Sequence, residues 1–353
     1  MCDIKQATLC KKQGLANHME DPNKKTVRVA VIGLGKMGLL HASILNAFPS
    51  VRLVALCDKS VIIRRILKKV LGGVQLIDDV EKLVGLDLDA SYITTPIPLH
   101  FPIAKNIFLK KIARNLFVEK TLASNYNEAM ELCEMARGLG SVTMVGYMKR
   151  FAVTFRKAKN LLDKETLGDL VSFDAYAYSS DFLGVNTHSK ASLLRGGVLR
   201  DLGCHMIDLA LWFFGDLHVE SVTPRLLPEI GSETSLYFEA KKPNGLEGRF
   251  SVSQCVENYR MPEIGLSIKG SKGIIDVNDD KLHLKLNDGG TFTWYRHDLN
   301  DKVDFWLGAP EYFREDEHFI KSILEGCNAE PSFCTASKVD QVIDQVRYKS
   351  GTK

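Results

Sequence analysis

Residues 26–38, TVRVAVIGLGKMG, decide the architecture. Val27, Val29, Val31 and Ile32 form a β-branched, nearly continuous apolar run that stops at glycines. A strand buried on both faces of a parallel sheet reads this way, because neither side of its pleat meets water. Gly33, Gly35 and Gly38 follow in the pattern G-x-G-x-x-G, and Met37, Leu40, Ile44 and Phe48 then recur at helical spacing. A glycine loop joining a strand to a helix is a fingerprint for a dinucleotide. Gly33 permits the tight turn, Gly35 lets backbone approach a pyrophosphate, and Gly38 lets the helix pack on the strand. Lys36 and Met37 open the helix, whose unpaired N–H groups suit the phosphates.

The second strand, Val51 to Cys57, ends at Asp58. A carboxylate about 20 residues past the loop accepts hydrogen bonds from the adenosine ribose. Asp58 favours NAD, since a 2′-phosphate would meet a like charge. Lys36, Lys59, Arg64 and Arg65 pull toward NADP, or make a solvated helix face. Either dinucleotide fits, with NAD preferred.

Strands and helices go on alternating as far as Val142–Val145, which predicts a doubly wound parallel α/β sheet, a Rossmann fold. Near residue 150 the pattern changes. After one amphipathic helix come mainly strands, several of which alternate, as in Phe173, Ala175 and Ala177 against Asp174, Tyr176 and Tyr178. Short turns such as Asn244-Gly245 and Asp288-Gly289 suggest antiparallel pairing. The expected organisation is a polar leader over 1–25, a dinucleotide-binding Rossmann domain over 26–148, and an α+β domain with an open, mostly antiparallel sheet over 149–353.

The 353 residues are 45% hydrophobic and 25% charged, with a net charge of +3, which excludes a collagen-like or wholly disordered chain and gives no electrostatic reason for a nucleic-acid or acidic-membrane partner. No apolar run approaches the ~18 residues of a membrane span. Eight scattered cysteines without a Cys-x-x-Cys pair read as free thiols in a reducing, cytoplasmic setting. His188, His205 and His218 show no metal-ligand spacing, so no metal is expected.

Two further stretches carry chemistry. In GGVLRDLGCHMID (196–208), a helix beginning near Asp201 would put Asp201 and His205 at i and i+4, with Asp208 near the same face. A carboxylate beside an imidazole stabilises its protonated form and fixes its orientation, as a general acid–base requires. Alternatively Asp201 is only an N-cap and His205 a structural histidine. Glu119-Lys120-Thr121 ends another strand, facing the ligand crevice, where a lysine can polarise a substrate oxygen or merely be solvated. Tyr147, Tyr176, Tyr178 and Phe182 could line a pocket or pack a strand face.

Taken together, the glycine loop, ITTPIPLH (93–100), Glu119-Lys120, GYMKRF (146–151), the 196–208 stretch and IKGSKGIIDV (268–277) resemble the glucose–fructose oxidoreductase / inositol dehydrogenase / rhizopine catabolism (Gfo/Idh/MocA) family. The resemblance implies an NAD(P)-dependent oxidoreductase acting on CH–OH groups of sugars, inositols or related polyols. It implies Lys120 as catalytic lysine, His205 as proton donor–acceptor and Asp201 as the adjacent carboxylate, all three touching substrate. It also puts Thr95, Pro96 and His100 at the nicotinamide end beside Glu119, Arg150 facing the cleft, and a homodimer or homotetramer built through the C-terminal sheet. The family usually has Glu-Lys-Pro, often with a cis Lys–Pro bond. With Thr121 here, a trans bond is expected. The rival expectations are a non-catalytic NAD(P)-binding sensor or scaffold, and a dehydrogenase or reductase of cyclic diols or bile-pigment-like substrates.

Overall fold

The computed structural model describes residues 25–181, 196–226, 233–301 and 309–351. Cys2, Cys10, Phe182, His188 and all but the last residue of the 1–25 leader lie outside them.

Six strands form the first sheet: β1 (Val27–Ile32), β2 (Val51–Cys57), β3 (Gln75–Ile77), β4 (Leu88–Ile93), β5 (Ala113–Glu119) and β6 (Thr143–Gly146). They run parallel in the order β3-β2-β1-β4-β5-β6, the doubly wound arrangement expected. Helices α1 (Lys36–Ala47), α2 (Val61–Val70), α3 (His100–Leu109) and α4 (Tyr126–Leu139) connect them. Their ends obey local chemistry. The Asn125 side chain accepts the Glu128 N–H at α4's start, and Gly140, at φ 59°, closes its end. Reversal of the strand order beside β1 opens a crevice at the C-terminal ends of β1, β4 and β5.

The second sheet has eight strands: β7 (Leu170–Tyr178), β8 (His218–Leu226), β9 (Glu233–Lys241), β10 (Glu247–Ser253), β11 (Glu263–Gly270), β12 (Gly273–Asn278), β13 (Lys281–Leu286) and β14 (Thr291–Tyr295). Their order is β14-β13-β12-β11-β7-β10-β9-β8. The strands joined by the Asn244-Gly245 and Asp288-Gly289 turns, β9–β10 and β13–β14, pair antiparallel as expected, while β7 and β10, which are not consecutive, pair in parallel. The chain leaves β7, passes through helix α6 (Cys204–Phe214), and comes back along β8 and β9 before it meets β7 again. Phe173, Ala175 and Ala177 are buried as the alternation required. Tyr176 and Tyr178 lie on the other face, stacked 5.1 Å apart, which is the strand-face reading of these rings.

Helix α5 (Val153–Asp163) follows β6, and α7 (Glu311–Glu325) and α8 (Phe333–Ser350) end the chain. The last two return to the first sheet. Phe319 and Ile320 of α7 join Val27, Val29 and Val31 in one core, with Tyr92 and Phe117 stacked 4.5 Å apart inside it. Phe333 and Ala336 of α8 share the other core with Ala30, Ile32 and α4. A Cys133–Cys334 disulfide ties α4 to α8, so the expectation of eight free thiols fails for this pair. The two cysteines are 201 residues apart, and only the folding of α8 onto α4 makes them neighbours. Cys57, Cys204, Cys255 and Cys327 are free.

Candidate active site

The glycine loop has the cramped and open positions that a dinucleotide needs. A Cβ on Gly38 would fall 1.8 Å from the Gly33 carbonyl oxygen, and one on Gly33, at φ +92°, would fall 2.8 Å from Thr95 Cγ2. A Cβ on Gly35 would meet nothing within 4 Å. The space above Gly35 and the start of α1 is therefore free for a pyrophosphate. It belongs to a cavity of about 890 Å³, of ligand-pocket size, lined by Gly33, Gly35, Lys36 and Met37. Gly38 lies beneath this lining, as its packing role demands.

Asp58 lines the same cavity, and its carboxylate also shapes the loop. One oxygen accepts the Leu34 N–H and the other the Ser60 N–H, each at 2.7 Å. Asp78 and Asp79, which the sequence did not single out, line this end too. Burial and these three carboxylates push the Cys57 thiol up to about 12. Lys36 and Lys59 reach the lining, while Arg64 turns to the Asp58 carbonyl oxygen.

Further along the cavity come Thr95 and Pro96, then Glu119 and Lys120. His100 is fully buried and is not part of the lining. Its ring nitrogens lie 2.7 Å from the carbonyl oxygens of Thr95 and Thr121, so it braces the wall rather than touching a ligand.

The Lys120–Thr121 bond is cis, against the trans expectation. The flanking groups are held on every side. Glu119 Oε2 accepts the Lys120 N–H at 3.0 Å, His100 binds the Thr121 carbonyl, and the Thr121 hydroxyl accepts a bond from Arg200 Nη1 at 3.0 Å. Threonine thus supplies a polar contact that proline lacks. Arg200 is fully buried. Its Nη1 also reaches Ala123 O (2.8 Å) and Asp340 Oδ1 (2.7 Å), and its Nη2 reaches Asp344 Oδ1 (3.3 Å).

Lys120 Nζ donates to Asp201, 2.5 Å from its carbonyl oxygen and 3.3 Å from Oδ1. Asp201 lines the cavity, and its Oδ2 accepts from Gln254 Nε2 at 3.0 Å. Burial works against the Lys120 charge, but Cys204, Asp201 and Glu119 outweigh it and hold the ammonium above its usual value.

Asp201 does not stabilise a protonated His205, as its spacing had suggested. Residues Leu199–Gly203 form a π-turn before α6, and this wider turn displaces the i, i+4 register. Asp201 therefore faces Lys120 and Gln254. Burial first, then the ammoniums of Lys120 and Lys149, hold His205 well below its ordinary value. His205 is consequently neutral, keeps a lone pair on one ring nitrogen, and can accept a proton. Tyr147 is buried edge-on to it, 6.2 Å between centroids.

Arg150 is buried, not facing the cleft. Its Nε and Nη2 grip Asp208 at 2.8 and 2.6 Å, and its guanidinium lies 5.8 Å from the Trp212 ring centre. That pairing takes Asp208 away from His205 as well. Lys149, bonded to Asp279 at 2.6 Å, adds positive charge near His205. Gln254 carries no motif, and Lys149, although inside GYMKRF, was not singled out by it; only the folded chain reveals their place in the site. Among the described residues no cluster of side chains suits a metal ion.

Two family models match the chain: an oxidoreductase family with an NAD-binding Rossmann fold over residues 27–147, and a GFO/IDH/MocA C-terminal domain over residues 155–276. Inositol 2-dehydrogenase of Rhizobium meliloti (strain 1021) is 24% identical over 327 residues, 87% of this chain and 92% of that protein. D-glucoside 3-dehydrogenase of Escherichia coli (strain K12) is 27% identical over 212 residues, 59% of this chain and 60% of its own length. Among solved structures, levoglucosan dehydrogenase in complex with NADH and levoglucosan superposes with a TM-score of 0.82 at 19% identity, covering 93% of this chain and 98% of that one. With both halves matched and the glycine cradle fitting a dinucleotide, the chain belongs to the GFO/IDH/MocA family of NAD-binding oxidoreductases.

Proposed function

We propose that the protein is a dehydrogenase of a sugar, inositol or related polyol, transferring a hydride between NAD and a carbon bearing a hydroxyl or carbonyl. One observation carries this reading: Lys120 at the end of β5 and Asp201 before α6 meet at one wall of the cavity, and the Lys120 ammonium helps keep His205, buried and not itself in the lining, neutral. NAD, when bound over Gly35, supplies the hydride acceptor. The Lys120 ammonium hydrogen-bonds the substrate oxygen and stabilises negative charge as it develops there. His205 takes the hydroxyl proton, which its neutral ring is ready to accept. Asp201, steadied by Gln254, holds the lysine in place between turnovers. Asp58, Asp78 and Asp79 at the adenosine end favour NAD over NADP, because they would repel a 2′-phosphate. Sugar and inositol substrates are also those named for the relatives.

The working division is a nucleotide-binding part over 26–148 and a substrate and oligomer part over 149–353. A cytoplasmic homodimer or homotetramer through the second sheet completes the proposal. Its partly exposed outer face carries Tyr176, Tyr178 and Tyr259. Among the described residues no helix is long and apolar enough to cross a membrane.

The test is a panel of inositols, aldoses and glycosides followed at the NADH absorbance, with wild type beside Lys120→Ala. Wild type should turn over at least one of them. Lys120→Ala should bind NADH normally and lose turnover by about 100-fold or more, the scale of a lost electrostatic donor. Undiminished turnover in Lys120→Ala would overturn the mechanism.

A further inference from the structure

His41 is on α1, the third residue after Gly38, and it is fully buried outside the cavity. Its ring nitrogens face carboxylates from two distant parts of the chain. Nδ1 lies 2.8 and 3.0 Å from the two oxygens of Asp316 on α7, and Nε2 lies 3.1 Å from Glu119 Oε1 on β5. The other Glu119 oxygen accepts the Lys120 N–H. The four residues form one unbroken chain of contacts, Asp316–His41–Glu119–Lys120, running from the last part of the sequence into the active site.

A carboxylate can only accept, so a ring with a carboxylate at each nitrogen bonds both only by donating from both. The electrostatics agree. Burial opposes a charge on His41, yet Asp316 and Glu119 outweigh it and raise the imidazole well above its usual value. His41 and Lys120 in turn overcome the burial of Glu119 and keep it ionised. The other titratable groups packed here are Tyr92 from β4, and Tyr312 and Glu315 from α7. Burial pushes the Glu315 carboxyl well above the usual carboxylate range, against the pull of His41. Gly146 leaves the room that Glu119 occupies, since a Cβ there would come 3.2 Å from Oε2.

We propose that His41 is a positioning residue for the reaction. Clamped by Asp316, it holds the Glu119 carboxylate against the Lys120 amide and so fixes the direction in which Lys120 presents its ammonium to the substrate oxygen. The inference rests on the role of Lys120 proposed above.

A double-mutant cycle tests it, because a residue acting through Lys120 loses its effect once Lys120 is gone. Glutamine at position 41 can reach only one of the two carboxylates. His41→Gln should lower kcat about 10- to 100-fold, the scale for a reacting group misplaced by about an ångström, with KM for NAD changed less than about threefold. In Lys120→Ala enzyme, assayed at high concentration, the same change should cost less than about threefold more. Asp316→Asn keeps the shape and an acceptor while losing the charge. It should lower kcat about three- to tenfold in the parent and leave Lys120→Ala unaffected. It stands in if His41→Gln fails to fold, as judged by NADH binding. Wild-type kcat in a folded variant, or an equal loss in both backgrounds, would overturn the proposal while leaving the role of Lys120 intact. Undiminished turnover of Lys120→Ala alone would remove that role, and this inference with it.

Discussion

Arg200 ties three segments together, and Arg200→Met removes that tie while keeping an unbranched apolar stem. Four hydrogen bonds go, and Asp340, fully buried, loses its partner. Stranding one member of a buried ion pair costs about 3–5 kcal/mol. Burial already pushes Asp340 up to about 7 against the opposing pull of Arg200. Without the arginine it rises further and binds a proton at neutral pH, so the loss there sits near the low end, about 3 kcal/mol. At about 2 cal/mol/K of unfolding entropy per residue, 353 residues turn this into a drop in Tm of about 4 °C. The pH dependence is the sharper signature. An unfolded aspartate titrates near 3.9, so between that value and its folded one the native chain holds a proton that the unfolded chain lacks, and stability falls as pH rises. In wild type this fall ends near 7. In the variant it continues, widening the deficit by up to about 1.4 kcal/mol per pH unit. Calorimetry of both proteins from about pH 6 to about pH 9 measures it. A deficit that vanishes, or that shrinks as pH rises, would refute the reasoning.

Two further outcomes are expected. Gly35→Ala should keep wild-type Tm yet bind NADH at least about tenfold more weakly, because its methyl meets only the space reserved for the pyrophosphate; Gly38→Ala, forced against the Gly33 carbonyl, should lose stability as well, and titration calorimetry with thermal melts separates the two. His205 is held well below its usual value, while the unfolded residue titrates near 6.5, so its contribution to stability is present above about 6.5 and lost as pH falls; the acid limb of kcat/KM for alcohol oxidation should correspondingly lie below 6.5, and a limb at or above it would contradict a neutral base.

Most of the fold was legible because its signals are local. β1, the glycine loop and Asp58 obey spacing rules that need no knowledge of distant residues. β3, three residues long, and β8, which carries Pro224, gave too short or too broken a pattern to be anticipated. The site was half legible. Lys120 and Asp201 were named, and they do meet. Their geometry was not legible, because the π-turn at 199–203 follows from packing and an i, i+4 count assumes a regular α-helix. Arg150 was misjudged because its partner Asp208 is 58 residues away. His41 looked like any helix residue, and its meaning depends on Asp316, 275 positions later.

The return of α7 and α8 to the first sheet sets a constraint on biosynthesis. The ribosome finishes all six strands of that sheet before it makes Phe319 or Phe333. Until then Val27, Tyr92 and Phe117 lack their eventual cover, and the nascent chain must carry a half-sealed apolar layer through the making of nearly two hundred more residues. A fragment cut after β6 would leave that layer without Phe319 and Ile320, so the nucleotide-binding half, although continuous in sequence, draws part of its cover from the last helices of the chain.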